Sequence, residues 1–136
     1  MNRKELQALA ETRLKDAQAL FQSRRFDGAY YLAGYAVECA LKACIAKRTK
    51  RHDFPDKDFA QKVFLHDVAR LLEIAGLAQR FEQGSRENPE FEDHWTTVRD
   101  WSERSRYEAH GRQKALAMLN AVTDPQGVLA CIKEYW

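Results

Sequence analysis

Phe26-Asp27-Gly28-Ala29-Tyr30-Tyr31-Leu32-Ala33-Gly34-Tyr35-Ala36-Val37-Glu38-Cys39-Ala40-Leu41-Lys42-Ala43 is the stretch whose reading decides the fold. Apolar residues fall on every side of a 3.6-residue repeat: Ala29, Tyr30, Leu32, Ala33, Val37, Ala40, Leu41, Ala43 and Ile45. A helix that is apolar all round belongs in the middle of a bundle rather than on its surface. Its many small residues, Gly28, Ala29, Ala33, Gly34, Ala36, Cys39, Ala40, Ala43 and Cys44, let neighbouring backbones come close. That suits a crowded central helix or a seam between two copies. A helix over 27–47 spans roughly 30 Å at ~1.5 Å per residue, enough to set the length of the whole bundle. Asp27 is placed to cap its start. The basic run Lys47-Arg48-Thr49-Lys50-Arg51-His52 suits the negative end of its dipole.

Outward from this helix, the chain reads as helices joined by short connections. Upstream, Leu6, Leu9, Leu14, Ala17, Leu20 and Phe21 make one apolar stripe over 6–21, which Arg24-Arg25 breaks. Downstream, 53–58 with Pro55 is a loop and 59–65 a short helical turn. Val68, Leu71, Leu72 and Ala75 mark a helix over 67–75 that Gly76 stops. The polar 80–88 forms a short helix and turn. Asn88-Pro89 reads as a cap followed by a first helical residue, with Glu90, Glu92 and Asp93 in the first turn. Phe91, Trp95, Val98 and Trp101 continue as an aromatic stripe facing the core. After the polar stretch 102–111, Ala115, Leu116, Leu119 and Val122 mark another helix. Asp124-Pro125 starts a last one that carries Val128, Leu129, Ile132 and Tyr135 towards Trp136. No segment alternates with a two-residue period. The fold expected is all-α: an antiparallel up-and-down bundle of four to five helices plus short helical turns, one domain over 1–136.

Bulk properties narrow the function. Of 136 residues, 45% are apolar, enough for a core without metals or disulfides. A net charge of +2 does not announce a nucleic-acid binder, so only a local basic patch would make one. The charged start, Met1-Asn2-Arg3-Lys4-Glu5, runs into no apolar segment, so no secretory signal is expected. The nearest approach to a membrane span, 28–46, contains Glu38 and Lys42. A cytoplasmic protein is therefore expected, with no membrane partner. Cys39, Cys44 and Cys131 form no CxxC pair and read as buried small hydrophobes in a reducing compartment. His52, His66, His94 and His110 are scattered, so no metal and no cofactor is expected.

The stretch 26–43 resembles the signature helix of HEPN (higher eukaryotes and prokaryotes nucleotide-binding) domains. Leu65-His66-Asp67-Val68-Ala69-Arg70-Leu71-Leu72 is similar to that family's third-helix opening, and 101–107 with its helix-loop-helix ending also matches. The resemblance implies a prokaryotic stand-alone member, often a homodimer. It also implies a toxin–antitoxin or defence pair, often with a nucleotidyltransferase-type antitoxin, and RNA or a nucleotide as ligand. A subset of the family are metal-independent ribonucleases with an arginine followed at short spacing by a histidine, near the start of a late helix.

Arg104 and His110 stand at that place. Histidine takes and gives protons near neutral pH, and a guanidinium fork matches phosphate oxygens. With so many arginines, however, one such spacing is expected by chance. A competing register, Trp101 followed by Arg106-Tyr107, resembles members without the ribonuclease histidine. In that reading Arg106 is structural or ligand-facing, His110 is an ordinary loop residue, and Gly111 makes a flexible junction. Glu38 and Lys42, at i and i+4, form an ion pair. Alternatively, Glu38 lines a polar cleft with Tyr31 and Tyr35, where Arg104 or Arg106 answers its charge. His66 reads as a helix-start residue satisfied by backbone. Two functions follow from these residues. One is a nucleotide- or partner-binding module using Glu38, Lys42, Arg106, Tyr107, Tyr31 and Tyr35. The alternative is a metal-independent RNA endonuclease using Arg104 and His110.

Overall fold

A computed structural model describes residues 1–49 and 65–136, and every regular element among them is helical. In chain order these are α1 (Arg3–Gln22), α2 (Phe26–Arg48), α3 (Val68–Ile74), α4 (Ala78–Glu87), α5 (Pro89–Arg99), a 3-10 helix (Glu103–Tyr107), α6 (Arg112–Thr123) and α7 (Val128–Lys133). Five helices have ten residues or more, and α3 and α7 are the short ones. The expected all-α bundle is therefore present. The expected loop over 53–58, all but the last residue of the turn over 59–65, and the end of the basic run, 50–52, lie outside the described residues.

The centre is α2. Ala36, Val37, Glu38, Cys39, Ala40 and Leu41 are all buried. Six consecutive residues sweep more than a full turn, so this middle part of α2 is closed to water on every side. It packs against α1, α3, the 3-10 helix, α6 and α7, while α5 closes the far side through α6 and α7 and α4 packs on α5. Close approach is possible because the residues are small. Trp101 lies against Gly34, where a Cβ would fall 2.3 Å from the indole Cδ1. The aromatic stripe of α5 is core, as expected: Phe81 of α4 meets Phe91 and Trp95 edge to face at about 5 Å.

Local signals account for most boundaries. Asn2 caps α1 in a reciprocal capping box with Glu5. Asp67 caps α3 by accepting from the Arg70 N–H, and Asn88 caps α5 ahead of Pro89. Gly76, at φ +76°, ends α3, and its bare face receives the Arg48 guanidinium, which donates to the Ile74 carbonyl.

Two expectations are corrected. Asp27 is not the cap of α2: the N-cap is Arg25, without a side-chain bond, and Asp27 in the first turn accepts from the backbone N–H of His110 instead. Asp124-Pro125 does not start the last helix. Asp124 ends α6, and its oxygens accept from Gln126 N and Gly127 N to close a turn, so α7 begins at Val128. One stretch among the described residues, Arg112–Lys133, is long and apolar enough to cross a membrane. Its most apolar part is 56% buried in the fold, and the stretch is divided by this turn.

The Gly34–Trp101 contact gives a direct test. Gly34→Ala is expected to lower stability by about 1–3 kcal/mol, the usual cost of overpacking a core. Urea unfolding followed by tryptophan emission measures it, with a shifted native spectrum as Trp101 is displaced. An unchanged midpoint would mean that the indole does not rest on α2.

Candidate functional site

Glu38 is the charged residue that α2 cannot expose. Its side chain is 1% accessible. The sequence suggests Lys42 as its partner one turn on, and the two do pair, at 3.8 Å from Nζ to Oε2. That distance is an ion pair without a hydrogen bond. The hydrogen bond comes from elsewhere: His66 Nδ1 donates to Glu38 Oε1 at 2.6 Å. His66 is thus not satisfied by backbone, as the sequence suggests, but by the buried carboxylate. Neither Arg104 nor Arg106 meets Glu38 directly.

The cluster continues outward from His66. Its Nε2 faces Glu103 Oε1 at 3.8 Å, and the same oxygen forms an ion pair with Arg106 at 3.2 Å. Three residues per turn in the 3-10 helix place Glu103 and Arg106 on one side, towards His66 and Tyr31, and turn Arg104 away. The Arg106 guanidinium lies 4.8 Å from the ring centroid of Tyr107, which is 78% exposed. Tyr31 and Tyr35 stack on the same face of α2 at 6.2 Å, and Tyr31 meets Trp101 at 5.7 Å. Glu38, Lys42, Tyr31, Tyr35, Arg106 and Tyr107 therefore share one face of the molecule. His66 and Glu103 join them, through contacts between distant parts of the chain that no spacing in the sequence signals.

Burial governs the chemistry here. It raises the Glu38 carboxyl above its ordinary range, against the pull of Lys42 and His66. Burial also pushes the Tyr35 hydroxyl up to about 12 and raises Tyr31, so both remain neutral donors. Two buried polar atoms on this face have no hydrogen-bond partner among the described residues: Glu38 Oε2, an acceptor, and Trp101 Nε1, a donor.

Arg104 and His110 lie apart from this cluster and are not joined to each other. Arg104 is exposed, with no ion pair or hydrogen bond among the described residues. His110 is 6% exposed. It stacks on Tyr30 at 4.0 Å and donates from Nε2 to the Ser105 carbonyl at 3.0 Å, while its backbone N–H is held by Asp27. It is a fixed, buried residue rather than an ordinary loop residue at a flexible junction, and its Nδ1 has no partner among the described residues. Burial was the feature that spacing alone could not reveal.

The raised Glu38 carboxyl predicts a pH dependence. Above the ordinary value of 4.5, the unfolded chain has released a proton that the folded chain still holds. Stability contributed by Glu38 is therefore greatest at low pH and is lost as pH climbs through the raised folded value. Glu38→Gln keeps the volume and removes the charge. Its stability relative to wild type is expected to improve as pH rises from about 4.5 towards neutrality in urea titrations. A difference that stays constant across that range would show that the buried carboxyl titrates as it does in water.

No curated protein and no solved structure gives a significant match to this chain. The model of the HEPN domain family matches residues 4–135, nearly its whole length. Its central helix, the partners that helix buries and this match agree, and the chain belongs to the HEPN domain family.

Proposed function

We propose that this HEPN domain is a binding module for a nucleotide or for exposed bases of RNA, and that its ligand face is the cluster built on Glu38. The observation that carries this reading is the exposed Tyr107 ring with the Arg106 guanidinium beside it, at the outer end of the chain Glu38–His66–Glu103–Arg106. Bases stack on aromatic rings and guanidinium planes, and that stacking is worth about 1–3 kcal/mol per base. Phosphate oxygens suit the guanidinium fork, and base amino groups suit Glu103. Glu38 acts underneath, holding His66 in place. The module works in the cytoplasm as a homodimer, in a toxin–antitoxin or defence pair whose other member is a nucleotidyltransferase-type antitoxin.

One observation favours the alternative, a metal-independent ribonuclease using Arg104 and His110: the Nδ1 of His110 has no hydrogen-bond partner among the described residues. Against it, Arg104 points into solvent and Nδ1 is shut off from water, so the pair would have to be assembled across two copies of the chain.

Titration of the full chain with ATP, GTP and short single-stranded RNA, by calorimetry, tests the binding reading. Wild type is expected to bind at least one of these, and Arg106→Ala and Tyr107→Ala to weaken it by about tenfold or more. Both residues are exposed, so both variants keep the fold. No binding, or equal binding by the variants, would sink this reading. Incubation of mixed RNA with chelator present tests the other. Arg104→Ala is a cleaner probe than His110→Ala, since removing a buried, stacked ring also costs stability. Cleavage by wild type that disappears in Arg104→Ala would put the ribonuclease reading in place of the module.

A further inference from the structure

Away from the Glu38 cluster, α5 and the turn between α6 and α7 bring three metal-ligating side chains together. Glu90 and His94 are one turn apart on α5, and Asp124 ends α6. One donor atom from each lies within 4.8 Å of the other two. His94 Nε2 is 3.8 Å from Glu90 Oε1 and 3.8 Å from Asp124 Oδ1. The His94 side chain is 17% exposed, and its Nε2 is closed to water with no hydrogen-bond partner among the described residues.

These distances leave a gap. At 3.8 Å neither carboxylate hydrogen-bonds the ring nitrogen. A buried nitrogen left open carries an uncompensated desolvation cost. Ligand bonds of about 2.0–2.2 Å to a tetrahedral zinc ion set neighbouring donors roughly 3.3–3.5 Å apart. Each carboxylate oxygen therefore needs to close on Nε2 by only a few tenths of an ångström, and the exposed Glu90 side chain can supply the further approach that the two oxygens, within 4.8 Å of each other, require. The backbones that carry them are already locked. Asp124 Oδ1 accepts from Gln126 N at 2.7 Å, Gln126 Oε1 accepts from Asn88 Nδ2 at 2.9 Å, and Asn88 caps α5. Such outer contacts hold ligands in position before an ion arrives.

We propose that Glu90, His94 and Asp124 form a site for a divalent transition-metal ion, with zinc(II) the best match. One imidazole nitrogen and two carboxylate oxygens suit zinc, and also cobalt(II) as its spectroscopic substitute. The nitrogen disfavours magnesium and calcium, and the lack of a thiolate disfavours copper(I). Water completes the coordination from the open side. The ion fastens the start of α5 to the α6–α7 turn, joining two parts of the bundle that are otherwise held there by Asn88 and Gln126. The sequence alone shows only the Glu90/His94 spacing, because Asp124 arrives through the fold.

The competing occupant of the gap is a proton, with His94 as an imidazolium between two carboxylates. Cobalt(II) titration of chelator-treated, dialysed full-length protein distinguishes the two, followed by visible d–d absorption, zinc(II) competition and thermal unfolding. The expected result is one equivalent of cobalt bound and displaced by zinc, with an unfolding midpoint that rises with either ion. His94→Ala is expected to abolish binding. Asp124→Asn, which keeps the side-chain oxygen that Gln126 N needs, is expected to weaken it by at least tenfold with the fold intact by circular dichroism. The proposal is overturned by three results: no stoichiometric binding, binding that survives both substitutions, or a midpoint that rises on acidification and ignores zinc.

Discussion

Because the middle of α2 has no face left for water, every other element is placed by what it must cover. α1 takes one long side, α6 and α7 another, and the 3-10 helix and α3 close over the remainder. The small residues make this enclosure geometrically possible. Gly34 lets the Trp101 indole rest directly on the helix, and alanines at 29, 33, 36, 40 and 43 let the other helices approach. The cost of enclosure falls on Glu38. An unanswered carboxylate in such a place would be expensive, so the fold brings Lys42 and His66 to it. The polar cluster is therefore a consequence of the central helix and not an addition to its surface.

The same constraint explains how the 3-10 helix divides its residues. Ser105 faces inward, where its carbonyl accepts from His110, and Glu103 and Arg106 face His66. Arg104 is left outside. A tight helix of three residues per turn sorts neighbours in this way, so two arginines separated by a single residue acquire unrelated surroundings. Oε2 of Glu38 and Nε1 of Trp101, on the same face, have no hydrogen-bond partner among the described residues. Buried polar atoms are rarely left open without a functional or solvent explanation.

The bundle was largely legible because its signals are local. The all-round apolar pattern of α2, the Asn88-Pro89 start of α5 and the Gly76 stop each depend on residues within one or two turns. Asp27 and Asp124 misled because a capping residue type is only an offer. Asp27 is claimed by the distant backbone of His110, and Asp124 by the next residues of a turn. The candidate site was legible in part. Glu38 with Lys42, and Tyr31 with Tyr35, lie one helical turn apart and can be read directly. His66 and Glu103 reach the cluster through tertiary contacts, and whether Arg104 and His110 are open or buried is likewise set by packing. Spacing carries no information on either.

The three cysteines give the enclosure of α2 a chemical meaning. Cys39, Cys44 and Cys131 are free and buried, and burial pushes the thiols of Cys39 and Cys44 up to about 11 and raises that of Cys131 as well. The thiolate is the reactive form, so alkylating agents and oxidants find almost nothing to attack while the bundle is closed. All three sulfurs become reactive only when the helices part. Their labelling rate is then a clock for the opening of the core, built into the chain without any added probe.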